Sequence, residues 1–349
     1  MEYYRRYWKE GRVSSSRWFW PAVSCAFLAL CAYPVEPGLP SRTAVVTMAA
    51  RAIGTYDPDP IVRNPDWLAE HFIGPAERRL LEGTPWAKAL DMDVRDASRI
   101  PEIETLVRVM LVRTRFFDER LRSAIEAGAE QVVVLGAGFD TRAYRLRELL
   151  RGKSVIEVDY GPTQEYKKRR VREVLGSLPE NVTYAPIDFT KESLGDVLPK
   201  YGFNSGRKTF FLWEGVSFYL PENAVRATLH YVATHSAPGS AIAVDFIEKS
   251  IIDRLGRDLD PATPPVIRAG VLQAKRMAEL GEPWMFGIPQ GGEAAFLRSE
   301  GLEPREILPN NGIEATRRYR TRNDGTLVGS VPASDYSPAI LVQAVVPPH

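Results

Sequence analysis

Val132-Val133-Val134-Leu135-Gly136-Ala137-Gly138-Phe139-Asp140-Thr141-Arg142 reads as a buried strand that breaks at a G-x-G turn and hands over to a helix. A short β-branched run bounded by glycine is the pattern of a strand covered on both faces. Glycines let the main chain approach a ligand where a Cβ would clash, and the N–H groups and positive end of the next helix then face that ligand. Asp159 closes the following strand-like run, Ser154–Val158, where a carboxylate suits ribose hydroxyls. The competing reading is a tight turn followed by a solvent-exposed acid. Together, the strand before the turn and the acid after it favour a nucleoside-containing ligand. A dinucleotide site prefers a third glycine where Thr141 stands, and Asp140 would face a pyrophosphate unfavourably. An anion is harmless beside a sulfonium or an α-amino group, so the pattern leans from NAD towards S-adenosylmethionine.

Outward from this turn, strand and helix signals alternate. Further strands are expected at 182–187, 208–213 and 241–246, with helices at 142–151, 164–175, 194–198 and 222–235. That alternation predicts an α/β fold with a parallel sheet covered on both faces. Upstream, Ser41 caps a helix through Arg51, residues 55–66 read as loop, and a long helix runs from Glu102 to Ala127. Residues 250–290, with Pro261, Pro264 and Pro265 between amphipathic pieces, interrupt the alternation as an insertion. A helix at 293–299 and late strands near 305–308 and 339–346 complete the chain.

Composition narrows the function classes. The 349 residues carry 45 Lys and Arg against 44 Asp and Glu, a net charge of +1, so the broad basic field of a nucleic-acid binder is absent. The two cysteines, Cys25 and Cys31, leave the remainder without a disulfide or a Cys-ligated zinc, and the four histidines show no metal-ligand spacing. No metal is expected. Residues 1–39 stand apart as an apolar and basic extension, and 40–349 form the main domain. The apolar run 18–33 is shorter than the roughly 20 residues a membrane span needs. Three readings of the extension compete: a dispensable segment with the true beginning near Val35, a membrane-associating tail, and a secretory signal. The expected location is cytoplasmic, or membrane-associated through 18–33 where the extension is retained.

The run Gly136-Ala137-Gly138-Phe139-Asp140-Thr141-Arg142-Ala143-Tyr144-Arg145-Leu146 resembles the signature of an S-adenosylmethionine-dependent methyltransferase family of actinobacteria, within the leucine carboxyl methyltransferase-like superfamily. The resemblance continues in Pro40–Ala44, Arg113–Asp118, Glu157-Val158-Asp159, Asp188-Phe189, Glu214–Pro221 and Gly281–Trp284. It implies a Rossmann-like class I methyltransferase: a mostly parallel seven-stranded sheet with helices on both faces, a helical N-terminal region and an insertion after the fifth strand. The resemblance also implies roles. Gly136 and Gly138 lie against the cofactor, Asp159 binds the ribose hydroxyls, and Asp188 and Phe189 contact the adenine. Glu214 sits near the methionine half, Arg113 pairs the methionine carboxylate, and Arg42 stands where the carboxyl methyltransferases have lysine. Each has a plainer reading: Arg113 as a surface charge, Asp188 as a helix cap, Glu214 as a strand-end acid. Tyr219, Trp284 and Phe286 are candidate acceptor contacts, or else core.

Methyl transfer from a sulfonium is an in-line displacement, so positioning is the enzyme's main task. A carboxylate acceptor needs no base, whereas a hydroxyl or amine does, and no histidine is placed for one. The expectation is O-methylation of a carboxylate or hydroxyl on an unidentified small molecule or protein, with no catalytic residue assigned. An NAD-dependent oxidoreductase and a non-catalytic nucleoside-binding protein are the alternatives. A hydrolase elbow is excluded, because Gly215-Val216-Ser217-Phe218-Tyr219 lacks its second glycine.

Overall fold

Every residue of the first strand, β1 (Gln131–Leu135), is buried, as a central parallel strand requires. A computed structural model describes residues 40–188, 191–260, 263–329, 333, 334 and 336–348; the readings of 1–39 and of Phe189 lie outside these residues. The chain begins with α1 (Arg42–Gly54), α2 (Pro75–Leu81), α3 (Pro85–Ala89), α4 (Val94–Ala97) and α5 (Pro101–Glu126). Proline at the first helical position starts α2, α3 and α5, where its missing N–H costs nothing.

After β1 come α6 (Arg142–Arg145), β2 (Ser154–Asp159), α7 (Gly161–Leu175), β3 (Val182–Pro186), α8 (Leu194–Val197), β4 (Thr209–Trp213), α9 (Glu222–Thr234) and β5 (Ala241–Ile247). The helix expected over 142–151 stops at Arg145, because Leu146 leaves helical geometry with ψ at 26°. The last elements are α10 (Lys249–Asp253), α11 (Pro265–Glu279), α12 (Glu293–Ser299), β6 (Glu303–Pro309), α13 (Ile313–Ala315) and β7 (Ala339–Val345).

One seven-stranded sheet runs in the order β3-β2-β1-β4-β5-β7-β6. The first five are parallel to one another, and β7 is antiparallel to both β5 and β6. Alternation along β1 sends Val132 and Val134 into one core and Val133 and Leu135 into the other. The first core packs under α1, α5 and α7, the second under α8, α9 and α12. The insertion leaves the sheet after β5 and returns where Glu248 bridges Ile288. Its helices α10 and α11 close a third apolar cluster over Phe218 and Ile247. No described helix is long and apolar enough to cross a membrane. Sheet order brings the carboxyl ends of β1, β2 and β4 together, and there the sequence placed the chemistry.

Candidate active site

The turn after β1 is stitched to β2 by Gly136 and Ala137, whose N–H groups donate to the Val158 carbonyl at 2.8 and 3.0 Å. Gly136 sits at φ 66°, and a Cβ there would lie 2.4 Å from Val216 Cγ2. Gly138 differs. A Cβ on it would meet nothing nearer than the Gly136 carbonyl at 3.9 Å, so the turn opens there. The Asp159 carboxylate accepts from the Gly138 N–H with one oxygen and from the Tyr160 N–H at 2.6 Å with the other. Burial raises its pKa, and those N–H groups and Lys167 pull against the rise. Lys167, itself buried, donates to the Ala137 carbonyl at 3.2 Å and pairs with Glu157 at 2.9 Å.

Beside the turn lies a buried network of charges. Arg142 pairs with Asp118 at 2.7 Å and with Asp140 at 2.5 Å. Its guanidinium also stands 2.8 Å from Glu214 Oε2, an ionic contact without hydrogen-bond alignment. Against the upward push of burial, Arg142 and Lys167 hold Asp140 at about 2. Its charge is therefore taken up by Arg142 rather than presented to a ligand, and the repulsion expected against a pyrophosphate is not carried by this residue. Arg145 grips Asp118, and Asp66 joins Arg51 at 2.8 Å to Thr141 at 2.5 Å, fastening α1 to the glycine turn.

Arg113 and Glu214 are brought together: the α5 guanidinium donates to Glu214 Oε1 at 2.9 Å just beyond the end of β4. Asp188 follows β3, where its carbonyl accepts two N–H groups of the next turn and its carboxylate pairs with Lys191 at 2.7 Å. A cavity of about 380 Å³ borders it, lined by Tyr160, Pro162, Ile187, Lys200 and Tyr201 among others. Arg42 is exposed on the first turn of α1 and makes no ion pair among the described residues. Its neighbour Ser41 donates to Glu282 at 2.5 Å, and Thr43 reaches Met277, so α1 touches the insertion. Phe218 packs between Tyr219 and Trp284, with ring centroids 4.8 and 5.3 Å away. Phe286 is buried against Phe246 and Phe296, a core position.

Sequence reasoning did not single out Asp245. This buried β5 acid accepts from the Gly215 N–H at 2.7 Å and lies 3.5 Å from the Arg113 guanidinium. Burial, opposed by Arg113, lifts its pKa to about 6. The signal was present: one acid inside the apolar run Ala241–Ile247 needs a partner, since an unpaired buried charge is costly. The same holds for Glu157 in β2.

Comparison with known proteins fits this geometry. A family profile described as leucine carboxyl methyltransferase matches residues 44–233. A protein of Mycolicibacterium gilvum, named for S-adenosyl-L-methionine-dependent methyl transfer, is 32% identical over 233 residues, 66% of this chain and 73% of its own length. A protein of Mycolicibacterium vanbaalenii with the same name is 32% identical over 268 residues, 71% of this chain and 84% of its own. The crystal structure of a protein from Thermobifida fusca described as a methyltransferase aligns over 90% of this chain and 97% of its own, with a TM-score of 0.52 and 16% identity, which speaks for the fold. These relatives decide between the nucleotide readings in favour of S-adenosyl-L-methionine. The chain belongs to the leucine carboxyl methyltransferase family, as an S-adenosyl-L-methionine-dependent methyltransferase.

Proposed function

We propose that this enzyme methylates an oxygen, of a carboxylate or an acidic hydroxyl, on a small molecule or a protein terminus. The opening in front of Gly138, with the Asp159 carboxylate hydrogen-bonded at its rim, is the observation that carries the reading. In it, Asp159 takes the ribose hydroxyls, Asp188 and Phe189 the adenine, and Gly136 sets the turn. Arg113, braced by Glu214, takes the methionine carboxylate as a bidentate clamp would. Arg42, free of ion pairs among the described residues, faces the same carboxylate or the acceptor's. Tyr219 and Trp284 are assigned to the acceptor side, and Phe286, packed between Phe246 and Phe296, to the core.

When bound, the sulfonium supplies an electrophilic methyl carbon. The chain's task is to hold the acceptor oxygen in line with it and to exclude water. A carboxylate acceptor gives up no proton. His71, His230 and His235 are exposed, on the helical segment at 70–72 and on or just after α9. A cation meeting an anion in a dry site also loses charge as it reacts, which favours the step.

Calorimetric titration with S-adenosylhomocysteine tests the cofactor half. Asp159→Ala is expected to bind at least tenfold more weakly, since hydrogen bonds to a charged group are worth about 1.5–3 kcal/mol. Equal binding by both proteins removes Asp159 from the site. Methyl-labelled cofactor offered with candidate acceptors tests the rest. A product that releases methanol in mild alkali is a carboxyl ester, an alkali-stable one is an ether, and label on nitrogen rejects the oxygen reading.

A further inference from the structure

We propose that Asp245 is a positioning residue for the amino-acid end of the cofactor: it fixes the turn after β4 and, through it, the clamp formed by Arg113 and Glu214. The proposal rests on the reading of Arg113 and Glu214 as cofactor contacts.

The ladder between β4 and β5 pairs Phe210–Trp213 with Ala241–Val244 and ends there. Glu214 and Asp245 are thus the next residues on two adjacent strands, two carboxylates side by side. In place of the next ladder bond, the Gly215 N–H donates to Asp245 Oδ1 at 2.7 Å. The Asp245 carbonyl accepts from Ser217 Oγ at 2.5 Å, so both ends of the turn hang on one residue. The other carboxylate oxygen faces Arg113 Nη1 at 3.5 Å, while Arg113 Nε holds Glu214 at 2.9 Å.

One guanidinium therefore spans two acids, and its face lies along Gly215. A Cβ there would sit 3.5 Å from both terminal nitrogens, and the residue keeps φ 72°. The same turn carries Val216, the side chain that presses on Gly136. Asp245 thereby couples the strand-end clamp to the glycine turn without facing the ligand. A network of this kind is partitioned only by a double-mutant cycle.

The experiment is calorimetric titration of the full chain with S-adenosylhomocysteine, for wild type, Asp245→Ala, Asp245→Asn, Arg113→Ala and the Arg113→Ala/Asp245→Ala double variant. Asp245→Ala is expected to weaken binding at least tenfold. Asp245→Asn, which still accepts from Gly215, is expected to recover most of the loss and bind about threefold more weakly than wild type. In the Arg113→Ala background the Asp245→Ala change is expected to cost less than twofold, because the clamp it positions is gone. A general loss of structure would cost the same factor in both backgrounds, and that result overturns the proposal. So does wild-type affinity in Asp245→Ala. Should that variant fail to fold, Asp245→Asn decides: threefold weaker binding at unchanged melting temperature supports the proposal, and wild-type binding overturns it. Arg113→Ala binding like wild type has a different signature, since it rejects the parent reading of the clamp and this proposal with it.

Discussion

Gly136 and Gly138 stand two residues apart in one turn, yet side chains added to them meet different surroundings. A methyl group on Gly136 runs into Val216 at 2.4 Å with φ at 66°. Overpacking costs about 1–3 kcal/mol and the left-handed backbone about 1–2 kcal/mol more. Gly136→Ala is therefore expected to lower the urea midpoint by a readily measured amount. Gly138→Ala projects into open space and meets only the backbone term, so its midpoint is expected to fall by less than that of Gly136→Ala. It should nonetheless bind S-adenosylhomocysteine at least tenfold more weakly, because the methyl group fills the cradle. Loss of binding from Gly136→Ala alone, with Gly138→Ala binding normally, would reverse the assignment of the two glycines. At this scale the turn and its acid were legible in the sequence, because Gly136, Gly138 and Asp159 act through contacts close along the chain or across one strand pair. Asp245, Asp66 and Lys167 were not. Asp245 meets its partner turn 30 residues away and Asp66 meets Thr141 75 residues away, and no local pattern announces either pairing.

Among the elements, α1 meets the insertion through Thr43, which reaches Met277, and through the shorter contact of Ser41. Ser41 accepts from the Ala44 N–H at 3.2 Å as the helix cap and donates to Glu282 at 2.5 Å. Removing a serine cap costs about 0.5–2 kcal/mol, and here the same hydroxyl also releases the segment after α11. Ser41→Ala is expected to be about 1–2 kcal/mol less stable and to speed hydrogen exchange in α11 more than in α9, which packs on the far face of the sheet. Equal acceleration in both helices, or none in either, would show that Ser41 acts as a cap alone. The strands and long helices were readable from periodicity, because a sheet buried on both faces demands apolar runs and α5 demands an apolar stripe over its 26 residues. The short helices α2 to α4 were not, since four to seven residues complete too few turns to show a period. Pro75 and Pro85 at their first positions were the available markers.

Across the whole molecule, ionisable groups under the glycine turn tie stability to pH, and Glu157 gives the clearest case. It is 1% exposed in β2, with Lys167 at 2.9 Å and the Tyr144 hydroxyl at 3.1 Å. Burial lifts its pKa to about 7, against the pull of Lys167. An unfolded glutamate titrates at about 4.3. Between those two values the folded chain therefore holds a proton that the unfolded chain has released. Stability contributed by this group is thus fully present below the unfolded value, declines as pH rises towards 7 and is flat above it. Asp245 acts with the same sign and Asp140, held at about 2, with the opposite one. Both remain when Glu157→Gln is compared with wild type, so they cancel in the difference. The glutamine variant is expected to gain on wild type steadily from pH 5 to pH 7, by on the order of 2–3 kcal/mol, and no further to pH 8.5. Urea unfolding of both proteins across that range measures it. A difference that stays constant with pH would mean Glu157 is ionised throughout, held down by Lys167 more strongly than burial lifts it.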